Sequence, residues 1–255
     1  MINFKKSGDI TEIWRKYELG KNHHNEQNLY EETARAWRFY EGDQWYGLNI
    51  GGISNLPVLN FITTLVNYKF ISVAMQNIRI VYNLHDSENP QAEIICRVLN
   101  KYAMRKWESQ KLDSKLWKAV LGACVAGDEY LYFYNKNLDC QLIDNTSIYF
   151  ADEQQEDIQK QNYIIIQERR PVADIRREAK KNGLQKSQIS MITGDNQTDT
   201  IVGDRTEVDR SGEGGKCISL LYLTKNEDGD IIFCRSTRNV IYEPMKTIKG
   251  LKLYP

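Results

Sequence analysis

Apolar side chains in the first half of the chain recur at the period of helices. In residues 26–40 they return every three or four positions, which predicts a helix that ends near Gly42. The same spacing predicts a helix that starts at Pro57, one over residues 90–110 and one over residues 112–126. We expect the helix of residues 90–110 to bury one face, formed by Ile94, Ile95, Val98, Leu99 and Tyr102.

Alternating apolar and polar positions predict strands, mostly in the second half of the chain. Residues 78–82 alternate in this way, and the segments 129–134 and 140–143 predict a hairpin. Further strands are predicted at residues 147–150, 163–168, 217–224, 231–234 and 239–242, with a helix at residues 171–182 among them. Helices come first and strands mixed with helices follow, an order that predicts an α+β fold rather than a regular α/β sheet.

Residues 185–215 differ in composition from the rest of the chain. They contain five glycines, no aromatic side chain and few large apolar ones, so we expect a long, flexible, acidic loop there. This loop would divide the chain into an α+β region at residues 1–184 and a β-hairpin region at residues 216–255.

Composition and charge argue against several classes of protein. The 34 basic and 34 acidic residues give a formal net charge of zero, which argues against a globally basic nucleic-acid binder. No apolar run approaches the roughly 18 residues of a membrane span, and the N-terminus lacks the apolar segment of a signal peptide. The five cysteines are widely spaced without a Cys-x-x-Cys pair, so we expect reduced thiols in a cytosolic protein rather than a zinc site.

The common catalytic and nucleotide-binding motifs are missing from the sequence. The Gly-Lys pair at residues 215–216 would fit a phosphate-binding loop, but Cys217 replaces the required Ser or Thr and Arg210 replaces the first glycine. Neither Gly-x-Ser-x-Gly nor His-Glu-x-x-His is present. The carboxylates of Asp128 and Glu129 lie beside a turn, where we expect hydrogen bonds to the turn rather than acid–base catalysis. We therefore expect no catalytic residue, cofactor or metal ion.

Charge is segregated along the chain although its total is zero. Residues 169–186 carry seven basic and two acidic side chains, whereas residues 193–215 carry six acidic and two basic ones. The basic segment can form a helix face that attracts phosphate groups, and the alternative is a solvated face opposite an acidic loop. The candidate contacts to a DNA backbone are Arg176, Arg177, Lys180, Lys181 and Lys186.

The most specific local string is residues 36–45, Ala-Trp-Arg-Phe-Tyr-Glu-Gly-Asp-Gln-Trp. It combines an aromatic helix end, a stop at Gly42 and a turn in which Asp43 and Gln44 can bind backbone groups. We expect three of its aromatic side chains to pack as one cluster, namely Trp37, Tyr40 and Trp45.

This string resembles the N-terminal signature of tailed-bacteriophage and prophage portal proteins, in which a helix ends in Phe/Tyr-Tyr-x-Gly-Asp-Gln-Trp. Three further segments are similar to the family in the same order. They are the helix and strand of residues 60–82, the helix that runs through Gly127 and Asp128 into a hairpin, and the stretch of residues 220–255. The resemblance covers nearly the whole chain, and the order of the motifs is more specific than any one of them.

The resemblance implies a non-catalytic, structural protein of the virion. Portal proteins form a ring of about twelve subunits at one capsid vertex, and double-stranded DNA passes through this ring during packaging and ejection. By this resemblance the chain would hold the N-terminal helices and the mixed wing and core of a portal, truncated before the long helices that line the channel. It would bind DNA through charge and shape, without sequence preference.

The implied partners are other copies of the chain, the terminase, capsid and scaffolding proteins, and the head-completion proteins that replace the terminase. The protein would reside in the host cytoplasm during assembly and afterwards at the portal vertex, without membrane contact. A nucleic-acid-processing enzyme and a generic interaction domain that uses the aromatic N-terminal region are the alternatives.

Overall fold

The computed structural model describes residues 9–47, 57–76, 78–84, 90–134, 139–195 and 215–255. Within these ranges the chain forms seven α-helices and two antiparallel sheets, which confirms the predicted α+β class. The helices are α1 (Ile10–Glu26), α2 (Leu29–Glu41), α3 (Phe61–Ala74), α4 (Pro90–Ser109), α5 (Leu112–Ala126), α6 (Val172–Lys181) and α7 (Lys186–Ser190). The strands are β1 (Glu129–Phe133), β2 (Cys140–Asp144), β3 (Ile148–Phe150), β4 (Tyr163–Pro171), β5 (Lys216–Lys225), β6 (Ile231–Ser236) and β7 (Ile241–Ile248).

The chain folds into two compact units whose boundaries differ from the predicted ones. The described residues of 1–27 and 147–254 form one of them, here called the sheet unit, and those of 28–146 form the other, here called the helical unit. Residues 216–255 are not a separate region, because β5, β6 and β7 complete the sheet that β3 and β4 begin.

The sheet unit has the strand order β3-β4-β5-β6-β7, and every neighbouring pair is antiparallel. The register places Ile165 of β4 opposite Tyr222 of β5, and Tyr222 opposite Cys234 of β6. Ile13 and Tyr17 of α1 belong to the same buried cluster as this row of side chains. Helix α1 therefore packs against strands that are distant from it in sequence.

A second buried cluster lies where α6 packs beside the sheet. Val172, Ile175 and Ala179 of α6 share it with Cys217 of β5 and Tyr242 of β7. The apolar positions of α6 thus form one buried stripe, and its charged positions lie on the remaining faces.

The prediction of a loop at residues 185–215 is wrong for the first part of this segment. Residues 186–190 form α7, and Ile192 is 1% exposed within the cluster beside α6. The burial of one large side chain stabilises this segment despite its polar composition. The remainder of the expected loop, residues 196–214, lies outside the described residues.

In the helical unit, α5 contacts α2, α3, α4 and the hairpin of β1 and β2. Leu112, Ala119 and Gly122 of α5 are buried, whereas α2, α3 and α4, which are described in full, contain no buried residue. Gly127 follows α5 with a φ of 100°, a conformation that favours glycine, and the chain then enters the hairpin.

Most of the predicted helices of this unit are confirmed, with two shifted starts: α2 begins at Leu29 and not at residue 26, which ends α1. Gly42 follows α2 with a φ of 90°, and α5 covers the predicted range. Helix α3 begins at Phe61 and not at Pro57, because the Asn60 side chain accepts a hydrogen bond from the Thr63 N–H and caps the helix.

Two other predictions for the helical unit are wrong. Residues 78–82 form no strand and pair with none in the described part of the chain. The Asn100 side chain of α4 instead binds the N–H and the carbonyl of Tyr82, at 2.7 and 3.0 Å. The predicted apolar face of α4 is not buried, since Ile94 is 61% exposed and its other four members are also exposed.

Candidate functional site

The Gly-Asp-Gln-Trp motif forms the junction between α2 and α3. Gly42 turns the chain at the end of α2, and two side chains then reach back to the residues that precede α3. Gln44 Nε2 donates to the carbonyl of Leu59 at 3.2 Å, and Trp45 Nε1 donates to the carbonyl of Pro57 at 3.3 Å. The motif therefore holds two chain segments side by side.

Tyr40 makes three hydrogen bonds at this junction. Its carbonyl accepts hydrogen bonds from Asn60 Nδ2, at 3.1 Å, and from Thr63 Oγ1, while its hydroxyl donates to Asn67 Oδ1 at 3.0 Å. A β-carbon at Gly42 would lie 3.2 Å from Asn60 Nδ2, so the absence of a side chain there lets the two helix ends approach. These bonds give the motif a structural role, the fixing of α2 to α3.

The expected aromatic cluster forms only in part. The rings of Trp37 and Tyr40 meet edge to face with centroids 5.8 Å apart. Trp45 instead lies at the surface with 37% of its area exposed, and the Asp43 side chain is exposed beside it.

The helical unit exposes many large apolar side chains in and next to α3 and α4. We call apolar surface those that are more than half exposed: Leu59, Phe61, Leu65, Tyr68, Ile71, Met75, Ile80, Val81, Ile94, Ile95, Val98 and Met104. Helix α3 has apolar side chains distributed around its axis, with the polar residues Thr64, Lys69 and Ser72 exposed between them. In the described residues no helix is both long and apolar enough to cross a membrane.

The sequence predicts a motif in which α5 ends and the chain runs through Gly127 and Asp128 into the hairpin. Asn145 Nδ2 donates to the carbonyl of Ala126 at 3.1 Å and so satisfies a backbone acceptor at the helix end. Asp128 is exposed. Glu129 Oε2 is buried without a partner among the described residues, so this oxygen does not make the hydrogen bond expected to the turn.

The basic residues predicted as DNA contacts lie on α6 and α7, but not all of them are available. Arg176 donates from Nε and Nη2 to the carbonyl of Ile192, at 3.1 and 2.9 Å, and so helps to attach the segment after α7. Arg177 forms an ion pair with Asp174 one turn earlier, at 2.9 Å.

The exposed members of the basic set are Arg177, Lys180, Lys181 and Lys186. Lys180 and Lys181 occupy the last turn of α6, where positive charge stabilises the helix end through its dipole. Their positions therefore have a structural explanation beside the electrostatic one.

Sequence reasoning missed a polar network in the sheet unit. Arg170 Nη1 donates to Glu178 Oε2 at 3.0 Å and to the Tyr242 hydroxyl at 3.2 Å, and this hydroxyl lies 2.7 Å from Ser219 Oγ. Burial alone would raise the pKa of Glu178, but the hydrogen bond and charge of Arg170 outweigh it and lower this pKa. Ser219 is 1% exposed, so its hydroxyl is inaccessible to a substrate.

No local pattern in the sequence predicts this network, because its members come from four elements, β4, α6, β5 and β7. Only the strand register and the packing of α6 bring them together. The network satisfies buried polar groups, which is a stabilising role rather than a catalytic one.

The sheet unit also has a cleft of about 430 Å³, lined by Trp14 and Lys21 of α1 and by Arg238 after β6. Cys217 lies in its wall, and burial, followed by the negative charge of Asp195, raises the pKa of this thiol to about 11. The thiol is therefore protonated at neutral pH and is a poor nucleophile.

The described residues contain no group of three or more His, Cys, Asp or Glu side chains that could hold a metal ion. A comparison with protein-family models found no match, and a comparison with curated proteins found none either. The assignment of a function therefore depends on the motifs and on the surfaces described above.

Proposed function

We propose that this chain is a structural, non-catalytic subunit of a phage portal ring, which forms the channel for double-stranded DNA at a capsid vertex and the docking site for the terminase and head-completion proteins. The apolar surface of the helical unit is the observation that carries this proposal. The order of the portal-like motifs supports it, and the Gly-Asp-Gln-Trp motif lies at the junction that precedes α3.

The size of the apolar surface favours a subunit of an assembly. Each of its twelve side chains presents roughly 100 Å² to solvent, so the set presents about 1,200 Å². The largest apolar patch of a typical monomer is about 300–600 Å², and a stable protein interface buries about 800 Å² on each partner. Leaving so much apolar area in water is unfavourable by about 25 cal/mol per Å², which favours association.

A ring requires two different patches on each subunit that meet head to tail. The apolar surface offers two groups of side chains, one around α3 with Phe61 and Leu65, and one around α4 with Ile94 and Val98. Each group presents about half of the exposed apolar area, and we assign one side of the subunit contact to each.

The charge of the chain is compatible with a channel through which DNA slides. The exposed basic side chains of α6 and α7 supply weak attraction for phosphate groups, while the net charge of zero avoids tight binding. We propose Arg177, Lys180, Lys181 and Lys186 as the contacts to the DNA backbone, and we exclude Arg176 because it binds Ile192.

The mass of the protein in solution tests this proposal. Light scattering and native mass spectrometry should show a large ring of about twelve subunits. Leu65→Glu should break the ring into smaller species, because it places a charge in the apolar surface. Leu19→Glu is the matched control, since Leu19 is similarly exposed on α1 of the sheet unit and should leave the ring intact.

Two results would overturn the proposal. One is a monomer at every concentration, with identical masses for both variants. The other is cleavage of duplex DNA by the purified chain in the presence of Mg²⁺, which would instead favour a nucleic-acid-processing enzyme.

A further inference from the structure

Glu129 is the first residue of β1, and its side chain lies directly on the backbone of α5. A β-carbon at Gly122 would lie 2.7 Å from Glu129 Cδ and still closer to Oε1, so only glycine leaves room for this carboxyl group. The carboxyl is thus packed between the hairpin and the helix, at a point where α5 has no side chain.

The surroundings of this carboxyl group do not neutralise it. Its Oε2 is buried, and no hydrogen-bond donor of the described chain reaches it. Across the hairpin, the residue in register with Glu129 is Asp144, a second carboxylate. On α5, Lys115 donates to the carbonyl of Cys140, and Lys118 is exposed to solvent.

A half-buried carboxylate with one oxygen out of reach of any described donor and opposite a like charge is unfavourable, whereas the protonated acid carries no charge to desolvate. Burial, followed by the charge of Asp144, raises the pKa of Glu129 to about 7. In the unfolded chain the same group would titrate near its ordinary value of about 4.3. The folded helical unit therefore takes up a proton between these two pH values.

We propose that protonation of the Glu129 carboxyl group holds the β1–β2 hairpin against α5, and that release of this proton to solvent loosens the contact. The sign follows from linkage: the stabilisation is complete below the unfolded pKa and is lost as the pH rises through the folded one. Helix α5 also contacts α2, α3 and α4. Weaker packing of the hairpin against α5 therefore also weakens the packing of the helices that carry the apolar surface. This inference does not depend on the proposed function.

Urea unfolding followed by tryptophan fluorescence tests the proposal on the full chain. Four of the five tryptophans (Trp37, Trp45, Trp107 and Trp117) lie in the helical unit, so the signal reports mainly on that unit. Between about pH 5.5 and about pH 8.5 the unfolding constant should rise about thirtyfold in the natural chain. Glu129→Gln should reduce this change to less than about twofold, since the amide imitates the neutral acid.

Glu108→Gln is the control for the loss of one carboxylate, because Glu108 is exposed on α4. It should keep the full dependence of the unfolding constant on pH. An equal dependence in the natural chain and in Glu129→Gln would overturn the proposal.

A second measurement does not require a stable Glu129 variant. The ¹³C chemical shift of the Glu129 carboxyl group in the natural chain should titrate near neutral pH, and Asp144→Asn should move this midpoint to lower pH. A carboxyl group that is already ionised at pH 5.5 in both proteins would overturn the proposal.

Discussion

The two units of this chain differ in how far each completes its own core. In the sheet unit, Ile165, Leu220 and Tyr242 are fully buried, and α1 and α6 each place apolar side chains in a closed cluster. In the helical unit, only α5 among the helices contributes buried residues, and the apolar sides of α3 and α4 face solvent. One chain thus combines a unit whose core is closed with a unit whose apolar area is available to a partner.

The two units also differ in how their charged side chains are paired. The sheet unit pairs its partly buried charges, as in the bonds from Arg170 to Glu178 and from Arg235 to Glu168. The helical unit buries Glu129 Oε2 without a partner. Buried hydroxyl groups do not follow this contrast, since Ser236 Oγ of the sheet unit and Thr33 Oγ1 of the helical unit are both buried without a partner among the described residues.

The largest expected effect comes from a matched pair of core and surface substitutions. Ile165→Ala removes a fully buried side chain and should lower the free energy of unfolding of the sheet unit by about 3 kcal/mol. Ile94→Ala should change the helical unit of the monomer by less than about 0.5 kcal/mol, because Ile94 is exposed. Urea unfolding measures both, and equal losses would abolish the contrast between the units.

A smaller effect is expected at the junction of α2 and α3. Asn60→Ala removes the cap of α3 and the bond to the Tyr40 carbonyl, and it should destabilise the helical unit by about 1–2 kcal/mol. Asn22→Ala, at an exposed position inside α1, is the control and should be nearly neutral. Thermal unfolding that does not distinguish the two variants would remove the structural role of the junction.

The smallest effect is the acid sensitivity of the sheet unit, whose sign is opposite to that of the pH dependence proposed for Glu129. The pKa of Glu178 is lowered by Arg170 despite burial, so its stabilisation is present above the unfolded pKa and is lost as the pH falls. Because Glu178 is partly exposed, the loss should stay below about 1 kcal/mol. Glu178→Gln should weaken the acid sensitivity of the sheet unit, measured by near-ultraviolet circular dichroism from pH 7 to pH 3.

The predictions that succeeded depend on nearby residues. The ends of α2 and α5 at Gly42 and Gly127 follow from glycine conformations, and the hairpins follow from short turns between alternating segments. Such signals lie within a few residues of the structure that they determine.

The predictions that failed depend on partners distant in sequence. The spacing of Ile94 and Val98 correctly indicates a helix with an apolar face, but not whether this chain covers that face. The alternation of residues 78–82 predicts a strand, yet the backbone N–H and carbonyl of Tyr82 bind the Asn100 side chain instead of a neighbouring strand. The network around Arg170 joins four elements, and no local pattern predicts such a meeting.

The sheet unit is interrupted in sequence by the helical unit, and this order has a consequence during synthesis. Helix α1 leaves the ribosome first, but Leu220 and Tyr222, which bury its Ile13 and Tyr17, follow only after the whole helical unit. At about 5–20 residues per second, this delay is about 10–40 s. Through that interval the apolar stripe of α1 remains exposed to chaperones and to neighbouring nascent chains. The helical unit, by contrast, has its complete sequence as soon as residue 146 has been added.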